Sequence, residues 1–251
     1  MKSIDLNADL GESFGPYRIG CDDELMPLIS SANVACGFHA SDPTVMRATV
    51  QLAVAAGVAI GAHPSYPDRQ GFGRREMKMK PDEVYDHVVY QIGALRGFVD
   101  VAGVALHHVK PHGALYNVAA VDAEMAKAIA HAVKDVSTGL KLYAPSGSAL
   151  ASMGQACGLT VCHEVFADRR YEADGTLTPR SRPDAVLHDE DEACEQVLQM
   201  VLEGWVIART GERVELQADT VCLHGDGPNP AGFARRLRDR LEAAGVKVSN
   251  R

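Results

Sequence analysis

The stretch Val109–Asn117, VKPHGALYN, decides the fold. Ahead of it Val84, Val88, Ile92, Leu95 and Val99 recur at helical spacing, which predicts a helix over Pro81–Ala102 with Gly103 as its stop. An apolar step, Val104, Ala105 and Leu106, leads into the stretch, and a new helix is expected to begin near Asp122. A strand between two helices that ends in a Lys-Pro-His-Gly turn is how an α/β barrel or a doubly wound sheet delivers reactive groups to the carboxyl edge of its strands. Residues two apart on a strand point the same way, so Lys110 and His112 are expected to face one pocket. Pro111 cannot donate a ladder hydrogen bond, which suits a strand end better than a strand middle.

The pattern recurs along the chain. Ile4, Leu6, Ala8 and Leu10 alternate with Asp5, Asn7 and Asp9, a strand whose apolar face meets helices and whose polar face points into a barrel lumen. A short helical piece, Asp23–Ser30, precedes a strand at Ala32–Cys36 that ends in Gly37-Phe38-His39. Asp42 caps a helix with Pro43 at its first position and Gly57 as its stop, and the strand Val58–Ala62 ends in His63-Pro64. Further strands read Leu140–Ala144, Leu159–Cys162 (ending in His163-Glu164) and Thr220–Leu223 (ending in His224-Gly225-Asp226). Helices are expected from Asp122, Ser146, Asp189 and Asn229, and a hairpin over Trp205–Leu216. Seven strand-then-helix units predict a single domain over residues 1–251: an α/β fold, a distorted or incomplete seven-stranded β/α barrel. The flat alternative lacks the G-x-G-x-x-G turn of a dinucleotide fold. Two long loops, Ser65–Lys80 and Phe166–His188, are functional candidates by their length alone.

Composition narrows the function. A net charge of −8 with scattered Lys and Arg argues against nucleic acid or an anionic membrane as partner. The longest apolar run, Leu52–Ala62, is Ala- and Gly-rich and too short to span a bilayer. Asp5, Asn7 and Asp9 interrupt any opening apolar segment, so a cytoplasmic protein is expected. The six cysteines show no CxxC pair and are expected to be reduced thiols. Self-association is left open.

Six of the seven strands end in titratable groups: Asp9 and Glu12, His39, His63, Lys110 and His112, His163 and Glu164, His224 and Asp226. Taken singly, each is as readily a turn or cap residue. Jointly they outline one catalytic face. Asp9, His63 and His112, with His39 as alternate, form a sensible oxygen and nitrogen ligand set for a divalent ion. Asp9, Glu12, Lys110, His112 and Asp168 are the catalytic candidates. Asn7, His39, Arg74, Arg169, His224 and Asp226 are the substrate-binding ones, Arg74 and Arg169 as clamps for a carboxylate or phosphate. The bland reading of Arg74, Asp168 and Arg169 is a solvated loop with internal ion pairs. Gly11-Glu12-Ser13-Phe14-Gly15 matches the G-x-S-x-G elbow, but no helix follows directly, so it is read as a chance match. Cys36 is read as a packed residue rather than a nucleophile. No GxxxxGK[ST] phosphate loop occurs.

IDLNADLGESFG (4–15), SANVACGFHASDP (31–43), GAHPSYPDRQGFGRR (61–75), VKPHGALYN (109–117), EVFADRRYEADGTLTPR (164–180) and VCLHGDGP (221–228) resemble, in order, blocks of the LamB/YcsF family, the A-subunit family of bacterial 5-oxoprolinase. Ala8 stands where that family often has Cys, which excludes a catalytic thiol there; Ser41 and Gly227 replace its usual Gly and Thr. The resemblance implies ATP-dependent opening of 5-oxo-L-proline to L-glutamate by a complex with two further subunits. It also implies a fold like the glycoside hydrolase/deacetylase barrel, in whose metal-dependent members an Asp and two His hold the ion. By block position these correspond to Asp9, His63 and His112. Two other classes stay open: a stand-alone metal-dependent deacetylase or amidohydrolase, and a non-catalytic subunit that only binds oxoproline.

Overall fold

The alternating first strand, β1 (Lys2–Leu10), is one stave of a closed barrel. The structure, a computed structural model, describes residues 2–223 and 229–250. His224 and Asp226, expected at the site, lie outside the described residues.

After β1 come α1 (Asp22–Leu25), which runs into a short 3-10 turn, β2 (Ser31–Ala35), α2 (Pro43–Ala56) and β3 (Ala59–His63). Then follow α3 (Pro81–Val101), β4 (Leu106–Val109), α4 (Gly113–Val121), α5 (Ala123–Val136), β5 (Lys141–Pro145), α6 (Ala149–Ala156) and β6 (Thr160–Phe166). The chain ends with α7 (Glu190–Glu203), the hairpin β7 (Trp205–Ile207) and β8 (Arg213–Glu215), β9 (Thr220–Leu223), α8 (Pro230–Ala243) and β10 (Val246–Val248). Seven parallel strands, β1 to β6 and β9, form the barrel, which closes because β9 pairs with both β6 and β1. The expected seven-stranded barrel is therefore complete. β10 adds a short parallel pairing to the start of β1.

The apolar face of β1 (Ile4, Leu6, Ala8, Leu10) is buried in the hydrophobic core, and its polar face fills the lumen. At the bottom, Asp5 accepts hydrogen bonds from the hydroxyls of Ser30 (2.6 Å), Ser31 (2.7 Å), Tyr143 (2.9 Å) and Thr220 (2.6 Å). Above it, the Asn7 carbonyl accepts from Asn33 Nδ2 at 2.7 Å, and the Asn33 carbonyl meets His108 Nε2 at 2.7 Å. Buried polar groups cost little only when partnered, and this column is. Asp9 and Lys110 cap it.

Three local expectations are corrected. The helix after Asp122 exists as α5, with the Asp122 carboxylate accepting from the backbone N–H of Glu124 and Met125. It is preceded, however, by α4, which starts at Gly113. Gly113 has φ +58°, and a Cβ there would lie 2.5 Å from the Gly73 carbonyl oxygen. The Pro-His-Gly run that reads as a turn is thus the tight entry to a helix. Second, β6 does not end at Cys162 but continues to Phe166. His163 and Glu164 therefore alternate: Glu164 points to the lumen, while the His163 ring meets Gln155 of α6 at 3.2 Å. Third, β10 has no counterpart among the strands expected from the sequence.

Candidate active site

Two histidines meet above the lumen. His63, the last residue of β3, places Nδ1 2.7 Å from the carbonyl oxygen of Lys110. A carbonyl only accepts, so in the neutral ring Nδ1 carries the hydrogen and Nε2 keeps a lone pair. His112, just before α4, places Nε2 2.8 Å from the carbonyl oxygen of Phe72, which leaves the lone pair on Nδ1. These two bare nitrogens face each other at 2.9 Å. The His39 ring lies flat on His112, centroids 3.8 Å apart and planes 4° from parallel, and its Nδ1 is buried with no hydrogen-bond partner. Glu12 Oε1 stands 3.2 Å from His39 Nε2 and 3.7 Å from His112 Nδ1.

One ligand atom each from Glu12, His39, His63 and His112 lies within 4.8 Å of all the others. Facing lone pairs repel unless positive charge sits beside them. Burial, with His39 and His63 nearby, pushes the His112 imidazolium well below the usual histidine range, so a proton is a poor occupant. An oxygen-plus-imidazole donor set, with the His63 and His112 rings each fixed through the second nitrogen, suits a divalent transition ion. The residues fit such a group.

Beside the histidines, Asp9 Oδ2 is 3.2 Å from His63 Nε2, while Oδ1 accepts from Asn33 Nδ2 (2.8 Å) and Lys110 Nζ (3.1 Å). Burial alone would raise the Asp9 carboxyl, but His63 and Lys110 outweigh it and hold it well below the usual carboxylate range. Glu12 has the opposite fate: burial and the Asp9 charge push it up to about 8. Burial disfavours the Lys110 ammonium, yet the carboxylates of Asp9 and Glu164 keep it charged, its pKa raised well above normal.

Residues 65–80 clamp this group from above. Phe72, in the left-handed region at φ +55°, packs its ring edge-on against His39 and His112, and Arg74 lies over that ring at 5.2 Å. A Cβ on Gly73 would sit 2.2 Å from Ser65 Oγ and 2.8 Å from His112 Cδ2, so only glycine lets the loop descend this far. Asp68 and Arg75 pair at its base. A cavity of about 660 Å³ opens over Asp9, His63, Lys110 and His112, its outer wall formed by residues 174–181. A second, of about 240 Å³, reaches Asp9, Arg74 and His112 from the side of Glu12 and Asp22. Carboxylates for water, an ammonium for a developing oxyanion and a cation-ready histidine set are the parts amide hydrolysis needs.

The sequence matches the LamB/YcsF family over residues 4–251. The chain belongs to the LamB/YcsF family. It is 60% identical over 248 residues to a protein of Methylococcus capsulatus named as the A subunit of 5-oxoprolinase, covering 99% of this chain and 95% of that one. A Bacillus subtilis protein of the same name is 55% identical over 249 residues, covering 99% and 97%. The crystal structure of the lactam utilization protein from Thermus thermophilus superposes with a TM-score of 0.93 at 50% identity, covering 98% of this chain and 99% of that one. A structure described as T48 deacetylase with substrate matches at TM-score 0.50 and 14% identity over 98% and 87%, a likeness of fold alone.

Within this LamB/YcsF chain, the strand-end candidates Asp9, Glu12, His39, His63, Lys110 and His112 come together. Arg74 lines both cavities and Arg169 the larger. Arg169 is buried, donates from Nη2 to the Thr178 carbonyl at 2.5 Å, and is pushed down to about 10 by burial and by Arg180. Asn7 lies under Lys110 inside the lumen, fully buried. Asp168 is partly buried beside Arg169 and lines neither cavity. Ser13 Oγ is engaged with the backbone of Ile19, and burial pushes the Cys36 thiol up to about 12, so neither is poised as a nucleophile. Glu164 and Tyr116, both on the cavity wall, are not among the sequence-derived site candidates. Glu164 reads there only as one of a strand-end pair, and Tyr116 sits on the helix that the sequence hides.

Proposed function

We propose that this chain is the hydrolytic A subunit of an ATP-dependent 5-oxoprolinase, which opens 5-oxo-L-proline to L-glutamate together with two further subunits of B and C type. The substrate class rests on the names of relatives more than half identical over the whole chain. The chemistry rests on one observation, the pair of bare imidazole nitrogens of His63 and His112 flanked by the carboxylates of Asp9 and Glu12.

A five-membered lactam is an amide with a poor leaving group whose closure from glutamate is easy, so its opening calls for coupling to ATP. ATP is used on a partner subunit, which delivers a phosphorylated or otherwise activated oxoproline. The larger cavity exceeds what a lone lactam needs and has room for such a form. Asp9, held ionised beside His63 and Lys110, orients or deprotonates the attacking water, and Glu12 stands beside it at the histidine set. Lys110 stabilises the developing oxyanion, and Arg74 or Arg169 holds the substrate carboxylate. A divalent cation held by Glu12, His39, His63 and His112, with Asp9 adjoining, would supply Lewis-acid polarisation there. The chain works in the cytoplasm. Among the described residues no helix is long and apolar enough to cross a membrane, and all six cysteines are free thiols.

The test is glutamate release from 5-oxoproline and ATP by this chain alone, by the two partners alone, and by all three. Product in the full mixture only is expected. Product from the partners alone would make this chain an accessory, and ATP-independent hydrolysis of other amides by the lone chain would make it a deacetylase-like enzyme.

A further inference from the structure

Lys110 is surrounded before any substrate arrives. Its Nζ lies 2.9 Å from Glu164 Oε1, 3.1 Å from Asp9 Oδ1, 3.1 Å from Asn7 Oδ1 and 3.1 Å from Cys222 Sγ. An ammonium has three hydrogens, so these four acceptors leave none over. Serving a substrate oxygen means redirecting one, and the N–H toward Cys222 costs least to redirect because a thiol sulfur accepts weakly. The other three contacts then fix where that hydrogen points. Resting on the function proposed above, we propose that Glu164, backed by Tyr116, is the positioning residue that sets the place of the Lys110 ammonium in the reaction.

The geometry supports it at each atom. Glu164 is 1% exposed on β6, inside the lumen and on the cavity wall. Its Oε1 also accepts from Asn7 Nδ2 at 2.9 Å, and its Oε2 accepts the hydroxyl hydrogen of Tyr116. Both carboxylate oxygens are thus anchored, so the group cannot swing with Lys110. Tyr116 is one helical turn beyond His112, which ties the anchor to the histidine set through the rigid start of α4. Burial and the Glu164 charge raise the phenol well above its ordinary pKa, so it remains a donor. Lys110 therefore stands between two fixed carboxylates, Asp9 and Glu164. Neutralise Glu164, and the ammonium is drawn from the Glu164 wall onto Asp9, occupying the carboxylate that faces His63 and the attacking water.

Glu164→Gln keeps the shape and removes the charge; Tyr116→Phe keeps the charge and frees one oxygen. In the three-subunit mixture Glu164→Gln is expected to lower kcat about 10- to 100-fold, the range for a group orienting a reactive one, with KM within about threefold. Tyr116→Phe should fall less, and the double variant no further than Glu164→Gln alone, because the phenol acts through the carboxylate. Crystal structures of both single variants give a readout that needs no turnover: Lys110 Nζ should be displaced toward Asp9 in Glu164→Gln and unmoved in Tyr116→Phe. An unmoved Lys110 in Glu164→Gln, additive losses, or a rise in KM alone would overturn the assignment. Absence of turnover in the wild-type mixture would count against the proposed function, and the crystallographic comparison would still decide the role of Glu164.

Discussion

Gly61 and His108 occupy one space: a Cβ on Gly61 would lie 2.1 Å from Nε2 of the His108 ring. Gly61 has no left-handed backbone to explain it, so the glycine is there for room. The ring it admits hydrogen-bonds Asn33, which in turn holds both Asn7 and Asp9. One missing methyl on β3 thus lets the lumen carry an unbroken polar column up to the Asp9 carboxylate.

Gly61→Ala should therefore overpack the lumen and destabilise the protein by about 1–3 kcal/mol, the usual range for an extra methylene in a full core. Urea unfolding measures it. A change within about 0.5 kcal/mol would mean that the His108 ring moves aside freely and that the column is not rigid.

The facing nitrogens of His63 and His112 predict a bound cation. Protein purified without chelator should carry about one divalent transition ion per chain by elemental analysis, and chelation should lower Tm, since a ligand that binds only the folded state stabilises it. His63→Ala and His112→Ala should each lose the ion. Metal-free protein with an unchanged Tm and full activity would show that a shared proton holds the pair.

Asp68 gives a pH dependence whose sign can be worked out. Its hydrogen bonds from Arg75, then that from the Gly71 N–H, lower its pKa from 3.8 to about 2 in the folded protein. A folded pKa below the unfolded one contributes stability in full above about 4 and loses it as pH falls through about 2. Wild type should be the more stable protein at neutral pH in a comparison with Asp68→Asn, with the gap in urea midpoint closing between about pH 4 and pH 2. A gap that stays constant over that window would mean that the pair contributes packing rather than charge.

What can be read from the sequence is whatever follows a local period. The polar face of β1, the caps at Asp42 and Asp122, and the strand ends at His63 and Lys110 are set by alternation or by turn chemistry within a few residues. A seven-stranded β/α barrel follows from counting strand-then-helix units, whereas its closure depends on β9 pairing with both β6 and β1. Helix α4 is hidden because Pro111 and Gly113 are turn residues unless a distant backbone, here Gly73, receives the N–H of Ala114. With α4 goes Tyr116. Glu164 is visible as a titratable residue, but whether it or His163 faces inward depends on how far β6 continues, which its pairing to β9 determines. The grouping of Glu12 with His39, 27 residues later, is set by the way both loops fold back over the rim, and no local signal carries that.

The most direct test of the central claim is the rate of glutamate formation by the three-subunit mixture when this chain carries Asp9→Asn or His112→Ala, each checked for folding. The geometry around His63 and His112 predicts a loss of about a hundredfold or more for each, as for removal of a proton-transfer or ligand group, with ATP consumption by the partners retained in part. Turnover within a few-fold of wild type for both would place the hydrolytic step elsewhere in the complex.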